Sequence, residues 1–399
     1  MKIKKSINYG KQSVDNRDID EVKRSLKNEF ITTGPYVEKF ENSLKNKFKC
    51  KYAYSCSSAT SGLHLAFLSI SLKKNDVILM PAINFISSYR MAELIGAKIY
   101  LVDVDEKTGQ INPKNVLDCI KKNKIKKIKA LVTMYLGGHV ENNIDFFKLK
   151  KKYNFSLIED ACHAIGSKYN YNNKSFFIGS CKHSDICVFS FHPVKTITTG
   201  EGGAVLTNNK NIANKIRLLR SHGIIRNKKQ YWDYDIKQLG FNYRLSDVNC
   251  ALGFSQLKKI DKFYKERKKI FKLYKIKLKV FNQYIDFPNS KNKNNLYHLF
   301  LIGLNFKKIK KDKNSFINFL IKKGIFPQFH YKPIFKFSFY KKKSVSAFPG
   351  SIAYYNKYLS LPIYIGLKNK EQNFVIKNII NYLKINRKKN TKPQENNFN

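Results

Sequence analysis

The sequence predicts an α/β protein, with a large, mainly parallel sheet domain followed by a smaller α+β domain. Two observations carry this prediction. Through residues 1–260, short apolar segments rich in β-formers alternate with segments of helical periodicity, which is typical of a parallel sheet covered on both faces. Beyond this region the alternation gives way to a mixed pattern, and 399 residues with 43% hydrophobic content can fill two cores.

Seven apolar segments of the first region are predicted strands, and the two last ones lie so close together that one of them is expected to pair antiparallel. The predicted strands are 52–57, 76–82, 97–104, 128–135, 156–161, 187–192 and 202–207. Helical periodicity predicts helices over 63–70, 87–96 with a glycine cap, 247–275, 314–323 and 370–384.

These elements give the predicted domain boundaries. The large domain with an N-terminal arm spans 1–255, and the small domain spans 256–386. Residues 387–399 are polar without an apolar period, so a disordered tail is expected there.

The chain carries a formal net charge of +48, which on its face indicates nucleic-acid binding. Lysine, asparagine and isoleucine are abundant along the whole chain, however, and arginine, the preferred reader of base edges, is scarce. We therefore interpret the charge as a compositional bias, expect no nucleic-acid partner, and expect the charge to attract a small polyanionic substrate.

Localisation and metal content are also constrained by composition. No apolar run reaches about 18 residues and no signal-peptide stretch opens the chain, so no membrane association is expected. The seven cysteines are scattered without a CxxC pair, which is typical of reduced cytosolic thiols. We expect a cytoplasmic protein without a disulfide framework or a metal site.

One lysine stands out in the segment CVFSFHPVKTITTGEGGAVLT, residues 187–207. Strand alternation places Ser190 and His192 on the same face, Pro193 ends the strand, and Lys195 follows in a loop of small residues. A lysine desolvated in such a loop has a lowered pKa and makes a competent Schiff-base amine. The alternative is an ordinary surface lysine, and the abundance of lysine favours that alternative when Lys195 is considered alone.

A carboxylate is expected near the same edge of the sheet. Asp160 ends the strand predicted at 156–161, and His163 follows three residues later. A carboxylate there can pair with the protonated pyridine nitrogen of pyridoxal phosphate. The alternatives are a helix N-cap for Asp160 and a packing role for His163.

Two further strand ends complete the pattern. SCSSATSGLH, residues 55–64, leads from a strand through Ser58, Ala59 and Thr60 into a helix, and such a turn suits a phosphate. Plain N-capping is the alternative. Phe85, after the next strand, can cover a flat cofactor ring or belong to the core. An amine, a carboxylate, a phosphate turn and an aromatic ring at one sheet edge form the combination that a pyridoxal-phosphate site needs.

These motifs give the chain a clear family resemblance. It resembles the DegT/StrS family of pyridoxal-phosphate-dependent sugar-nucleotide aminotransferases, which has the aspartate-aminotransferase fold, fold type I. The resemblance covers nearly the whole chain, and SFHPVKTITTGEGGA is its most specific part. The other matching segments are YGKQSVDNRDIDEV, FITTGPYVEKFE, SSATSGLHLA, IEDACHAIGS, RSHGI, GFNYRLSDVNCALGFSQL, FHYKPIF and LSLPIY.

The NYGKQS start, the SATS turn and HYKPIF are most similar to the pseudaminic-acid branch of the family, although many relatives have glycine where Ala59 stands. That branch implies amino transfer from L-glutamate to the C4 ketone of a UDP-linked 4-keto-6-deoxy-N-acetylhexosamine. The product would be UDP-4-amino-4,6-dideoxy-N-acetyl-β-L-altrosamine. Alternatives are another keto sugar, including a perosamine-type or 3-keto sugar, and a basic nucleic-acid-binding protein on the same fold. Family dehydratases carry histidine at the position of Lys195, so this lysine favours transamination.

The resemblance also implies the roles of individual residues. Lys195 would form the Schiff base with pyridoxal phosphate, Asp160 would pair with the pyridine nitrogen, His163 would lie near the 3-hydroxyl, and Phe85 would stack on the ring. The residues that bind or flank the phosphate would be Ala59, Thr60 and Ser190.

A second copy of the chain is implied as well. Asn242 would reach the phosphate of the neighbouring subunit's cofactor, so a homodimer with shared sites is expected. The residues matching the sugar-nucleotide pocket are Tyr9, Thr32, Thr33, His330 and Tyr331. His192 has no role in this scheme, and we expect it to support the lysine loop.

Overall fold

The computed structural model describes residues 6–389, except residues 228, 231, 289, 291, 293 and 341–346. Its strands are β1 (Ile7–Asn8), β2 (Tyr52–Cys56), β3 (Val77–Pro81), β4 (Lys98–Val102), β5 (Ala130–Met134), β6 (Ser156–Asp160), β7 (Lys168–Tyr171), β8 (Lys174–Phe177), β9 (Ile186–Ser190), β10 (Gly203–Thr207), β11 (Ile224–Arg226), β12 (Tyr234–Ile236), β13 (Ile285–Asp286), β14 (Phe300–Leu304), β15 (Ile325–Phe326) and β16 (Tyr358–Leu361).

The helices connect these strands and cover the sheets. They are α1 (Asn16–Leu26), α2 (Pro35–Phe48), α3 (Ala59–Ser69), α4 (Ser87–Leu94), α5 (Pro113–Lys122), α6 (Asn143–Tyr153), α7 (Lys210–Leu219), α8 (Asp247–Lys258), α9 (Ile260–Lys279), α10 (Phe306–Ile309), α11 (Lys313–Lys322), α12 (Pro349–Lys357) and α13 (Asn369–Lys389).

The central sheet has the strand order β2-β10-β9-β6-β5-β3-β4. Strand β10 runs antiparallel to β2 and to β9, and all other pairs in the sheet are parallel. Each of the seven predicted strands is present, and the expected antiparallel hairpin is β9-β10. The α/β prediction, with a large and mainly parallel sheet, is confirmed.

The carboxyl ends of the parallel strands meet at one edge of this sheet, and local sequence explains how the flanking segments turn there. Ser58 caps α3 through a reciprocal capping box with Ser61. Gly203 begins β10 directly beneath this turn, where a Cβ would come within 2.7 Å of the backbone nitrogen of Ala59. Gly96 ends the α4 segment at φ +82°, as the predicted glycine cap requires.

A second apolar core lies in the C-terminal part of the chain. The antiparallel sheet β13-β14-β16 packs with α9, α11 and α13 around residues such as Phe300, Phe316 and Ile379. The N-terminal segment joins this region because β1 pairs in parallel with β15. This pairing was not predicted, since two-residue strands have no periodicity to detect.

Two helix predictions differ from the structure. The helix predicted at 247–275 is two helices, α8 and α9, separated at Lys259. The ammonium of Lys259 binds the carboxylates of Asp15 at 3.0 Å and Asp18 at 2.5 Å, which fixes the break without a glycine or proline. The last helix extends to Lys389, past its predicted end and into the predicted tail. Residues 390–399 of that tail lie outside the described residues.

Candidate active site

A cavity of about 600 Å³ opens at the carboxyl edge of the central sheet. Most of the residues predicted for the site line it together. They are Tyr9, Ala59, Thr60, Phe85, Asp160, His163, Ser190, Lys195, His330 and Tyr331. The cavity therefore joins the sheet edge to a C-terminal segment that follows β15.

Lys195 lies on the loop between β9 and β10, and its backbone N–H donates to the His192 carbonyl at 2.8 Å. Small residues hold the loop in shape: the Thr198 hydroxyl donates to the Phe191 carbonyl at 3.0 Å, and the Asn249 side chain donates to the Thr199 carbonyl at 2.5 Å. Burial lowers the pKa of Lys195, and the nearby Cys162 and Asp160 oppose this shift. Lys195 is partly buried and lines the cavity, unlike an ordinary surface lysine.

Asp160 ends β6 and is buried at the bottom of the cavity. Its Oδ2 accepts from Asn84 Nδ2 at 3.1 Å, and its Oδ1 accepts weakly from the Cys162 N–H at 3.4 Å. No helix begins at Asp160 in the described chain, so the N-cap alternative is wrong. Asn84 also donates to the Ser88 hydroxyl at 3.0 Å, which fixes the amide against the carboxylate.

His163 is a buried histidine whose tautomer follows from its contacts. Nδ1 accepts from the Gly137 N–H at 3.3 Å, so the proton of the neutral ring is on Nε2 and donates to the Tyr331 hydroxyl at 2.9 Å. The ring of His298 lies 4.4 Å from that of His163. Burial, with the Lys195 charge added, lowers the pKa of His163 and His298 well below the usual range. Both rings are therefore neutral near pH 7.

The turn before α3 has the features of an anion site. Ser58 caps the helix, so the N-capping alternative holds for this residue. Within the described chain the backbone N–H groups of Ala59 and Thr60 donate to no protein acceptor, and both face the cavity at the positive end of an 11-residue helix. The Thr60 hydroxyl bonds the Ser87 hydroxyl at 2.7 Å. Capping by Ser58 and phosphate binding by the next residues are thus compatible.

Phe85 is a half-exposed aromatic residue of the cavity, with 54% of its surface accessible, so the core alternative is wrong. Its ring lies 5.8 Å from the Tyr331 ring, and the Tyr9 ring lies 5.2 Å from that of His330. These rings contribute to the apolar lining of the cavity.

Three predicted site residues do not reach this cavity within one chain. Thr32, Thr33 and Asn242 are exposed. Thr33 lines a separate depression of about 470 Å³, and Asn242 forms a β-bridge with Ser221, which lines the same depression. The three residues thus lie around one surface outside the cavity.

His192 borders the cavity at the lysine loop. Its Nδ1 accepts a long 3.5 Å bond from the Val194 N–H, and its Nε2 lies 3.8 Å from a Glu201 carboxylate oxygen. The contacts connect the two ends of the loop, and the supporting role stays a prediction.

The residues that line the cavity carry chemical groups that match those of pyridoxal phosphate. Two free backbone donors suit the phosphate, a buried carboxylate suits the pyridinium, and a desolvated amine suits the aldehyde. Across the described residues no cluster of histidine, cysteine, aspartate or glutamate could hold a metal ion. Nor does any described helix combine the length and apolarity of a membrane span.

Sequence reasoning missed Asn84, Ser87 and His298. Asn84 and Ser87 flank Phe85 after β3, so their position at a strand end was a usable signal, but asparagine and serine there are also ordinary loop residues. His298 comes from a segment without periodicity next to β14, and no local pattern indicates that it reaches the cavity.

Comparisons with known proteins agree with this geometry. The model of the DegT/DnrJ/EryC1/StrS aminotransferase family matches residues 12–380. A UDP-4-amino-4,6-dideoxy-N-acetyl-beta-L-altrosamine transaminase of Campylobacter jejuni strain 81-176 is 38% identical over 370 residues, covering 92% of this chain and 95% of the relative. The solved structure of Helicobacter pylori PseC, an aminotransferase involved in the biosynthesis of pseudoaminic acid, has a TM-score of 0.85 and 28% identity, covering 96% and 100% of the two chains. The PLP-form of Spr1654 from Streptococcus pneumoniae shares the fold, with a TM-score of 0.84, 23% identity, and 96% and 99% coverage.

Proposed function

Because the chain belongs to the DegT/DnrJ/EryC1/StrS aminotransferase family, we propose that it is a pyridoxal-phosphate-dependent sugar-nucleotide aminotransferase. It transfers the amino group of L-glutamate to the C4 ketone of a UDP-linked 4-keto-6-deoxy-N-acetylhexosamine. The product is UDP-4-amino-4,6-dideoxy-N-acetyl-β-L-altrosamine, the sugar named for the 38% identical relative. The observation that carries the proposal is the buried Lys195 beside Asp160 in one cavity.

Pyridoxal phosphate, when bound, supplies an electron sink for the pair left behind when a proton leaves the amine-bearing carbon. Its phosphate would be held by the N–H groups of Ala59 and Thr60 and by the Ser190 hydroxyl. Phe85 would cover the face of the ring. The neutral His163, fixed by Tyr331, would stand at the ring edge near the 3-hydroxyl.

Lys195 is the proton-transfer group of the proposed mechanism. Burial lowers the pKa of Lys195, which suits its Nζ to accept a proton from the α-carbon of glutamate and to donate it again on the other side of the transfer. In the second half of the reaction it moves a proton in the opposite direction at the sugar C4. The hydrogen bonds that shape its loop keep the amine at the cavity during both steps.

Asp160 keeps the pyridine nitrogen protonated in this proposal. The Asn84 amide and the backbone N–H of Cys162 donate to its two oxygens, which orients the carboxyl group. A carboxylate held in a fixed direction stabilises charge without reorganising during the reaction.

A homodimer completes the proposal. Thr32, Thr33 and Asn242 lie outside their own cavity and are exposed, as residues that serve a neighbouring subunit would be. Light scattering on the purified protein should give twice the mass of one chain. A monomer at micromolar concentration would contradict shared sites.

The substrate is tested with a panel of UDP-, GDP- and dTDP-linked 4-keto and 3-keto sugars, each incubated with L-glutamate and pyridoxal phosphate. We expect the UDP-linked 2-acetamido-4-keto-6-deoxy sugar to be aminated most efficiently, with the product stereochemistry read by NMR. A strong preference for a sugar without the 2-acetamido group would contradict the proposed substrate. A protein that never binds the cofactor but holds DNA tightly at physiological salt would contradict the enzyme itself.

A further inference from the structure

Three lysines lie along the C-terminal side of the cavity, and we call Lys313, Lys332 and Lys336 the lysine rim. Lys332 lines the cavity, and Lys313 and Lys336 contact aromatic rings that line it. Each ammonium lies over an aromatic ring that lines the cavity. The Nζ of Lys332 is 4.8 Å from the Phe337 ring centroid, and that of Lys336 is 5.0 Å from the Tyr355 ring centroid.

Lys313 is the innermost member of the rim. Its Nζ lies 4.0 Å from the Phe329 ring and 4.6 Å from the Tyr355 ring, and it donates to the Tyr355 carbonyl. Burial, with the charge of Lys336 added, lowers the pKa of Lys313 to about 7. The two ammonium groups therefore repel each other, and an anion between them would relieve this repulsion.

In the part of the chain that the structure describes, no carboxylate pairs with the rim. Among the described residues no salt bridge involves any of its three lysines. Asp312, next to Lys313 in the chain, instead caps α11 by accepting from the Ser315 N–H at 2.6 Å. Glu201 also lines the cavity, but it belongs to the lysine loop beside His192. The rim thus presents uncompensated positive charge to a molecule entering the cavity.

We propose that the lysine rim is the subsite for the diphosphate of the nucleotide sugar, and this inference rests on the proposed function. The keto sugar binds at Lys195, where the reaction takes place. The diphosphate attached to the sugar would therefore extend away from Lys195 toward the opening of the cavity. Cation–π contacts with Phe329, Phe337 and Tyr355 restrict the ammonium groups to positions beside rings that line the cavity, which lowers the ordering cost of binding the anion. The rim selects substrates that carry a diphosphate.

Lys332 and Lys336 are both exposed, so their removal spares the core, whereas Lys313 is more buried and is left in place. The test variant is therefore K332M/K336M. Lys323 is the matched control, because it is an exposed lysine at the opposite end of α11 whose Nζ lies 5.9 Å from the Phe319 ring. Calorimetry on the cofactor-loaded protein measures the binding of UDP and of uridine.

We expect the double variant to bind UDP at least about tenfold more weakly than the wild type, a loss set by two charge-assisted contacts. Uridine, which lacks the diphosphate, should lose less than twofold in affinity, on the order of the effect of a surface substitution. The K323M control should bind both ligands like the wild type. In kinetics, the KM for the nucleotide sugar should rise more than the KM for glutamate.

Three results would overturn the proposed diphosphate subsite. UDP could bind equally well to the wild type and the double variant, or uridine could lose as much affinity as UDP. A larger rise in the KM for glutamate would assign the rim to the donor carboxylates and also reject the proposal. UDP binding is measured without turnover, so a protein that binds UDP through the rim but aminates none of the sugars would refute the proposed function and leave the subsite standing.

Discussion

The two walls of the cavity are built in different ways. The sheet-edge wall, from β2 to β10 with their connecting loops, carries Asp160, Ser190 and Lys195 on a buried and hydrogen-bonded frame. The C-terminal wall consists of the segment 328–332 with Phe337, Tyr355 and His298, and it combines aromatic rings with lysines and neutral histidines. The first wall is suited to fix a cofactor, and the second to admit a large anionic substrate. Under the proposed function, chemistry and substrate selection would thus belong to separate parts of the chain.

The largest expected effect comes from the sheet-edge wall. Lys195→Ala should reduce glutamate-dependent amino transfer by at least about 10⁴-fold, because no other described lysine lines the cavity at the sheet edge to move the proton. The rate is measured with saturating cofactor and both substrates. The control is Lys182→Ala, which should keep full activity. Lys182 is an exposed lysine in the segment before β9, the strand that leads into the Lys195 loop. Turnover near the wild-type rate in the Lys195 variant would refute the mechanism.

Asp160→Asn tests whether kcat depends on the charge of the Asp160 side chain or only on its shape. The substitution keeps the size of the side chain but removes the charge that holds the pyridine proton, so kcat should fall by about 10²–10³-fold. The matched control is Glu159→Gln on the same strand, where the carboxylate accepts from the Tyr135 hydroxyl at 2.7 Å on the other face of the sheet.

The Glu159→Gln control separates an effect of Asp160 on the reaction from an effect on the stability of β6. Glu159→Gln should leave kcat within a few-fold, because its side chain does not line the cavity. Equal losses in kcat for both variants would show that the two carboxylates act only through the stability of β6. An unchanged kcat in Asp160→Asn would remove the pyridinium pairing from the mechanism.

The two walls also differ in how far the sequence predicts them. Asp160 and Ser190 each end an apolar strand, and strand ends of a parallel sheet converge, so local pattern is enough to bring their side chains together. The C-terminal wall depends instead on the pairing of β1 with β15 and on the bridge between Gln328 and Ser360. These contacts join distant segments through two residues or fewer, and no periodicity reveals them.

The family resemblance supplied what local pattern could not. It placed Tyr9, His330 and Tyr331 in the substrate pocket, and the structure brings all three to the cavity. It did not indicate His298 or the lysine rim. In a chain with 76 lysines and arginines, a functional lysine differs from its neighbours only by position in three dimensions, so the aromatic rings beneath it became informative only with the structure.

The smallest expected effect concerns the stability of the C-terminal wall in acid. The His330 Nδ1 is 2.8 Å from the Ser360 hydroxyl, and its ring faces Tyr9 and His163. Burial, with the Lys195 charge added, lowers the pKa of His330 to about 3. In the unfolded chain this histidine takes up a proton near pH 6.5, so the unfolded state binds more protons than the folded state between about pH 6.5 and 3.

The free energy of unfolding should therefore fall as the pH drops through this window, by up to about 1.4 kcal/mol per pH unit for His330 alone. His330→Gln should reduce this slope, as measured by urea unfolding at several pH values between 7 and 4. His222→Gln is the control, because His222 is exposed and lies outside the cavity. A slope in His330→Gln equal to that of the wild type would mean that this ring is protonated in the folded protein. The C-terminal wall would then carry a positive charge inside the cavity. Its buried histidines could no longer be described as neutral, in contrast to the charged lysine rim.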